Sequence, residues 1–181
     1  MKTLILVNKT HPISKGYNVD LCEVEGKLVA KEIAGDLTRM LKDARENGFM
    51  PIVCSGYRSL VYQRELLATK VNRLCNQGYN RAQAQTLAKR EIMPEGCSEH
   101  HTGLAVDIVS EENKELEVSQ ENSITNQWLQ KHCAEYGFIL RYPKDKEEIT
   151  QVSYEPWHFR YVGVEIAEYL TKNKMTLEEF F

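Results

Sequence analysis

No stretch of this chain approaches the ~18 consecutive apolar residues needed for a membrane-spanning helix. The opening run Met1-Lys2-Thr3-Leu4-Ile5-Leu6-Val7 starts like a secretion signal. It is too short for one, Asn8, Lys9, Thr10 and His11 end it, and no small-residue cleavage site follows. It reads instead as a buried first strand over residues 3–7. Cysteine is sparse and unpatterned. Cys22, Cys54, Cys75, Cys97 and Cys133 are odd in number and widely spaced, and they contain no C-x-x-C pair. Such a set argues against a disulfide framework and favours reduced thiols, hence a cytoplasmic location. The alternative is an extracytoplasmic domain of a membrane-anchored protein, if the chain is a trimmed piece. Nor is one sign of charge in excess: 23 Lys+Arg against 26 Asp+Glu leave a net charge of −3. That gives no general attraction to nucleic acid or to an anionic membrane.

What remains is a chain of 181 residues with 42% hydrophobic and 27% charged residues, ordinary for one globular domain with a real core. No repeat, low-complexity segment or linker divides it. Residues 8–25 read as a loop with Pro12, Gly16, Asn18 and Asp20 as breakers. Val29, Ile33, Leu37, Met40, Leu41 and Ala44 recur at three- and four-residue steps, which predicts an amphipathic helix over 27–47 ended by Gly48. A short strand at 51–54 leads to a helix N-capped by Ser59, and a third helix follows over 82–90. Residues 93–102 are a loop and 104–109 a strand. A helix covers 124–136, with strands at 138–140 and 157–162. A last helix over 164–170 precedes a polar, acidic tail. The pattern is α+β: a small, mostly antiparallel sheet with helices packed around it.

Chemistry concentrates in two places, Ser98-Glu99-His100-His101-Thr102-Gly103-Leu104-Ala105-Val106-Asp107 and Tyr154-Glu155-Pro156-Trp157-His158. Two imidazoles and a carboxylate can close three corners of a zinc tetrahedron, and a catalytic zinc keeps the fourth for water. Period two puts Asp107 on a face with Ala105 and Val109. A carboxylate buried there without a partner costs several kcal/mol, so it calls for a cation or a strong donor. Spacing alone leaves open whether His100 or His101 is the ligand. Glu155 and His158 would point to opposite faces of a regular strand, but Pro156 favours an edge or bulge that lets both reach one metal. Glu155 then lies close enough in sequence to serve as general base.

The pattern Ser98-x-His100-x-x-Gly103-x-Ala105-x-Asp107 with Glu155-x-x-His158 resembles the zinc D-alanyl-D-alanine peptidases of the VanY and VanXY type. So do Leu6-Val7-Asn8-Lys9-x-His11-Pro12, Ser55-Gly56-Tyr57-Arg58-Ser59 with Gln63, and Tyr136-Gly137-Phe138-Ile139-Leu140-Arg141-Tyr142-Pro143. The resemblance covers nearly the whole chain. It implies a single catalytic domain over 1–181 with one Zn²⁺ in a cleft, bound by His100 rather than His101, Asp107 and His158. It also implies Glu155 as general base and Arg58 beside the scissile carbonyl. Gln63 and Ser98 become candidate donors to a substrate carboxylate, and Ser55 a substrate-facing residue. The implied partners are peptidoglycan precursor peptides ending in D-Ala-D-Ala. The implied activity is a D,D-carboxypeptidase of the kind linked to vancomycin resistance. Alternatives are a D-Ala-D-Ala dipeptidase, a bifunctional enzyme, and a zinc-stabilised module that binds cell-wall peptide without cutting it.

Two departures stand out. Glu95 precedes Gly96 where relatives tend to carry proline, which affects the loop. The bifunctional relatives carry an acidic residue where this chain has Ser55, and a serine cannot pair with the ammonium of a free dipeptide. A D-Ala-D-Ala-terminated pentapeptide should therefore be cleaved faster than free D-Ala-D-Ala in a D-alanine release assay. Equal rates would overturn the argument from Ser55.

Overall fold

The structure, a computed structural model, describes residues 3–181. Met1 and Lys2 of the opening apolar run lie outside the described residues. The chain order begins β1 (Leu21–Val24), β2 (Lys27–Ala30), α1 (Ala34–Glu46), β3 (Pro51–Ser55), α2 (Leu60–Asn76) and α3 (Arg81–Glu91). It continues with β4 (Ala105–Ser110), α4 (Ile124–His132), β5 (Phe138–Leu140), α5 (Glu147–Thr150), β6 (His158–Tyr161), α6 (Val164–Asn173) and α7 (Leu177–Phe180). A four-stranded sheet of order β3-β4-β6-β5 is antiparallel throughout, and β1-β2 form a separate hairpin. The α+β expectation holds.

The core lies on one face of the sheet. Leu37, Met40 and Leu41 of α1 pack with Val106 and Ile108 of β4, Phe159 of β6 and Leu129 of α4. These are the residues that period 3.6 on the helix and period two on the strand assign to the inside. The opposite face of β4 is left to Asp107 and the site. The helix caps follow local chemistry: Ser59 Oγ accepts from Tyr62 N at 3.1 Å, and Asn80 with Gln83 forms a capping box at the start of α3.

Four expectations are corrected. Residues 3–7 are not a strand: the segment joins no sheet, and the Thr3 and Ile5 carbonyls accept from Arg160. Residues 21–30, expected as loop and helix start, form the β1-β2 hairpin, and the helix begins only at Ala34. The turn between the strands has positive φ at both Glu25 and Gly26, the geometry that matches strand twist in a two-residue hairpin. The helix over 124–136 tightens to a 3₁₀ turn after His132. The polar, acidic tail, in which the sequence pattern places no element, contains the short helix α7, capped by Thr176 and Glu179.

The hairpin braces the site. Tyr57 N donates to Leu28 O at 2.6 Å, and Ala30 N donates to Gly103 O at 2.9 Å. A Cβ on Gly56 would lie 2.3 Å from Leu28 O, a backbone atom that cannot swing aside. Gly56→Ala should therefore cost at least the ~1–3 kcal/mol typical of overpacking, read as a lower midpoint in urea unfolding. Unchanged stability would show that β2 is not seated against Gly56.

Candidate metal and active site

Strand register does most of the assembly. Across the sheet Asp107 of β4 pairs with Ser55 of β3 on one side and His158 of β6 on the other. A register irregularity between Val53 and Ser55 brings Ser55 opposite Asp107. His100 comes from the 3₁₀ turn Glu99–Thr102 that leads into β4. Glu155 precedes β6 in a turn closed by His158 N donating to Glu155 O at 3.1 Å. This turn resolves the facing problem posed by the spacing of Glu155 and His158.

The three expected ligands converge. Ligand atoms of His100, Asp107 and His158 all lie within 4.8 Å of one another, and all three residues are buried. His100 Nε2 is 3.3 Å from Asp107 Oδ2, and His158 Nδ1 is 3.2 Å from Asp107 Oδ1. Ligands on a tetrahedral ion at ~2.0 Å would stand roughly 3.3 Å apart, so these separations suit a shared zinc. Asp107 Oδ1 is buried and makes no hydrogen bond among the described residues. His100 Nδ1 is 2.7 Å from Gly56 O, which places its N–H there and turns Nε2 toward the cluster. His101 points elsewhere, its Nδ1 2.7 Å from Arg58 O and its Nε2 accepting from Gly96 N at 3.1 Å.

The electrostatics also suit a cation. Burial penalises the charge on Asp107, yet His100 and Arg58 hold its carboxyl well below the usual range. Burial pushes Glu155 up to about 8, with His158 opposing the rise. Burial should neutralise His158, but Asp107, Glu99 and Glu155 outweigh it and raise that imidazole to about 9. Without a metal, then, an imidazolium supplies the positive charge these carboxylates require. His100 goes the other way, down to about 4, through burial and the Arg58 guanidinium.

The remaining expected residues line the same cleft, a cavity of about 630 Å³. Glu155 Oε2 is 3.5 Å from His158 Nδ1, and its side chain is 12% exposed. Arg58 donates from Nη2 to Asp107 Oδ2 and from Nε to Ser55 Oγ at 2.9 Å. Ser55 is thereby engaged with Arg58. Gln63 donates from Nε2 to Met93 O at 2.8 Å, which leaves its acceptor Oε1 buried and without a partner among the described residues. A substrate carboxylate would therefore meet only its second amide hydrogen. Ser98 is buried at the cleft wall. Trp157 and Tyr154 add apolar lining, and the Tyr142 ring packs at a tilt against His158, with centroids 4.9 Å apart.

Sequence reasoning passed over Glu99. It is 1% exposed, and its Oε1 accepts from Arg141 Nε at 2.7 Å and Arg160 Nη1 at 2.8 Å. No local signal marks it, because both partners are distant in sequence.

A small antiparallel sheet with two histidines, an aspartate and a neighbouring glutamate at one cleft is the architecture of a metallopeptidase-type site. A family profile for D-alanyl-D-alanine carboxypeptidases, VanY, matches residues 26–164. The chain belongs to the VanY family. An Enterococcus faecalis D-alanyl-D-alanine carboxypeptidase is 41% identical over 98% of this chain, which spans 65% of that relative's length. A solved VanY D,D-pentapeptidase from a VanB-type resistance cassette, an alanine variant complexed with Zn(II), is 39% identical. It superposes with a TM-score of 0.90 over 99% of each chain. VanYB in complex with D-alanine-D-alanine is 40% identical, with a TM-score of 0.89 over 98% of this chain and 96% of that one. Among the described residues no helix is long and apolar enough to cross a membrane.

Arg141 and Glu99 have fully buried side chains, so removing one charge strands the other. Arg141→Met should lower unfolding free energy by ~3–5 kcal/mol, against under ~1 for Arg39→Met at a half-exposed ion pair. Equal small effects in urea titrations would contradict a buried charge cluster beneath the site.

Proposed function

We propose that residues 1–181 work as one catalytic domain, a zinc-dependent D,D-carboxypeptidase. Its substrates would be peptidoglycan precursor peptides ending in D-Ala-D-Ala. The observation that carries this reading is Glu155 beside a three-donor cluster in a cleft large enough for a peptide. His100, Asp107 and His158 would hold one Zn²⁺ per chain. When bound, the ion supplies Lewis acidity, polarising a carbonyl and lowering the pKa of a water from 15.7 to about 7.

The chain's own residues do the rest. Glu155 takes the proton from the attacking water and passes it to the leaving nitrogen as the C–N bond breaks, so free D-alanine departs as an amine. Asp107 stays ionised, because His100 and the Arg58 guanidinium beside it oppose its protonation. Arg58, held by Ser55 and Asp107, presents a fixed positive charge at the cleft, suited to the developing oxyanion or to the substrate carboxylate. Ser98 and the free hydrogen of the Gln63 amide are the further donors available to that carboxylate. Trimming D-Ala-D-Ala termini in this way would contribute to vancomycin-type resistance. The five free thiols suit a reducing compartment, so action on precursors in the cytoplasm is the associated location. No affinity for nucleic acid is expected at a net charge of −3.

Ser55, engaged by Arg58 and carrying no charge, favours the longer peptide over the free dipeptide as substrate. A binding module would have no use for Glu155 beside an open metal position. Glu155→Ala should retain stoichiometric zinc and lose ~10²–10⁴-fold in D-alanine release from a pentapeptide. Chelation should abolish the unaltered protein's turnover, and zinc should restore it. Normal turnover in Glu155→Ala would remove Glu155 as base. Peptide and zinc binding without any release would favour the binding module.

A further inference from the structure

Asn8 and Arg141, each within a stretch that marks the family resemblance, do not themselves line the catalytic cleft. Both end on one buried chain of charges. Asn8 Nδ2 donates to Glu178 Oε1 at 3.2 Å. Glu178 on α7 receives two further bonds, from Arg141 Nη1 at 2.8 Å and Nη2 at 2.6 Å. Arg141 passes its Nε to Glu99 Oε1, where Arg160 Nη1 also binds. Arg160 is held in turn by the carbonyls of Thr3, Ile5 and Tyr161. Two carboxylates offset two guanidiniums, which is the condition for burying any of them.

The outcome is an asymmetric carboxylate. Both arginines bind Glu99 Oε1. Glu99 Oε2 has no hydrogen-bond partner among the described residues and faces His158 Nε2 at 3.5 Å, itself otherwise unpartnered. The other ring nitrogen, Nδ1, faces Asp107 and Glu155. A neutral imidazole carries one N–H, and a metal takes the nitrogen that lacks it.

We propose that Glu99 is a positioning residue of the metal site. Its Oε2 accepts the Nε2 hydrogen of His158 and so fixes the tautomer that offers Nδ1 to the ion. Arg141, Arg160 and Glu178 hold Glu99 in that orientation, tying the site to both ends of the described chain. This inference rests on the metal-site half of the proposed function and is independent of which peptide is cut. Glu99→Gln is nearly isosteric but reverses the polarity. The amide oxygen must face the guanidinium donors, so the NH₂ turns to His158 and requires Nε2 to accept. The imidazole hydrogen then belongs on Nδ1, the atom the ion needs.

Two measurements decide it, and neither uses peptide. In zinc-loaded, ¹⁵N-labelled protein, two-bond ¹H–¹⁵N correlations should show His158 protonated at Nε2 and metallated at Nδ1. Zinc competition titrations should give Glu99→Gln an affinity about 10- to 100-fold weaker. A folded Glu99→Gln protein with unchanged zinc affinity, or zinc on Nε2 of His158, would overturn the proposal. If Glu99→Gln does not fold, the tautomer in the unaltered protein decides alone. Absence of zinc binding in the unaltered protein would overturn both readings. Zinc binding with the expected tautomer but no D-alanine release would sink only the peptidase.

Discussion

A carboxylate buried in the middle of an apolar strand is the constraint on which the site depends. Asp107 is 1% exposed between Val106 and Ile108, and such a charge is tolerated only when positive partners surround it. The protein provides two of them, Arg58 after β3 and the His158 imidazolium on β6, and adds the neutral His100 ring before β4. The same demand recurs one layer down at Glu99, where Arg141 and Arg160 provide the answer. This face of the sheet is thus a stack of charged groups with partners, and its upper layer is one that a divalent ion could complete.

The fold delivers these groups by register rather than by loop geometry. Ser55, Asp107 and His158 stand side by side because β4 and β6 pair antiparallel at Asp107 and His158, and the register shift after Val53 brings Ser55 of β3 opposite Asp107. A one-residue slip would turn each side chain to the opposite face, so the core packing of Val106, Ile108 and Phe159 fixes the chemistry as well as the stability. The hairpin β1-β2 lies outside this sheet but presses on Gly56, whose carbonyl orients His100. Precision at the metal ligands is built on backbone contacts of this sort.

Much of this was legible in the residues, for identifiable reasons. Helix α1 announces itself through apolar steps and α2 through its cap at Ser59. Asp107, Glu155 and His158 drew notice because charged and ligating side chains interrupt apolar segments, whereas the choice of His100 over His101 came only with the family resemblance. The hairpin was hidden because Val29 lies four residues before Ile33, which lets a strand residue pass as the first turn of a helical stripe. Only Glu25-Gly26 hinted at the turn. The opening apolar run looked like a strand, yet it has no strand beside it, and Arg160 takes its carbonyls instead. Glu99 was invisible because its neighbours in sequence are the site's histidine and a serine, while its partners lie 42 and 61 residues away. Helix α7 was obscured by a polar tail whose single buried apolar anchor, Leu177, sits beside Glu178, the partner of Arg141.

The central claim is that His100, Asp107 and His158 share one divalent ion. X-ray absorption at the zinc edge of the loaded protein tests it most directly. The account predicts two imidazole nitrogens and oxygen neighbours at ~2.0–2.2 Å, with no sulfur, although Cys54 lies against the Asp107 backbone. A sulfur shell at ~2.3 Å, or a single imidazole in the spectrum, would contradict it.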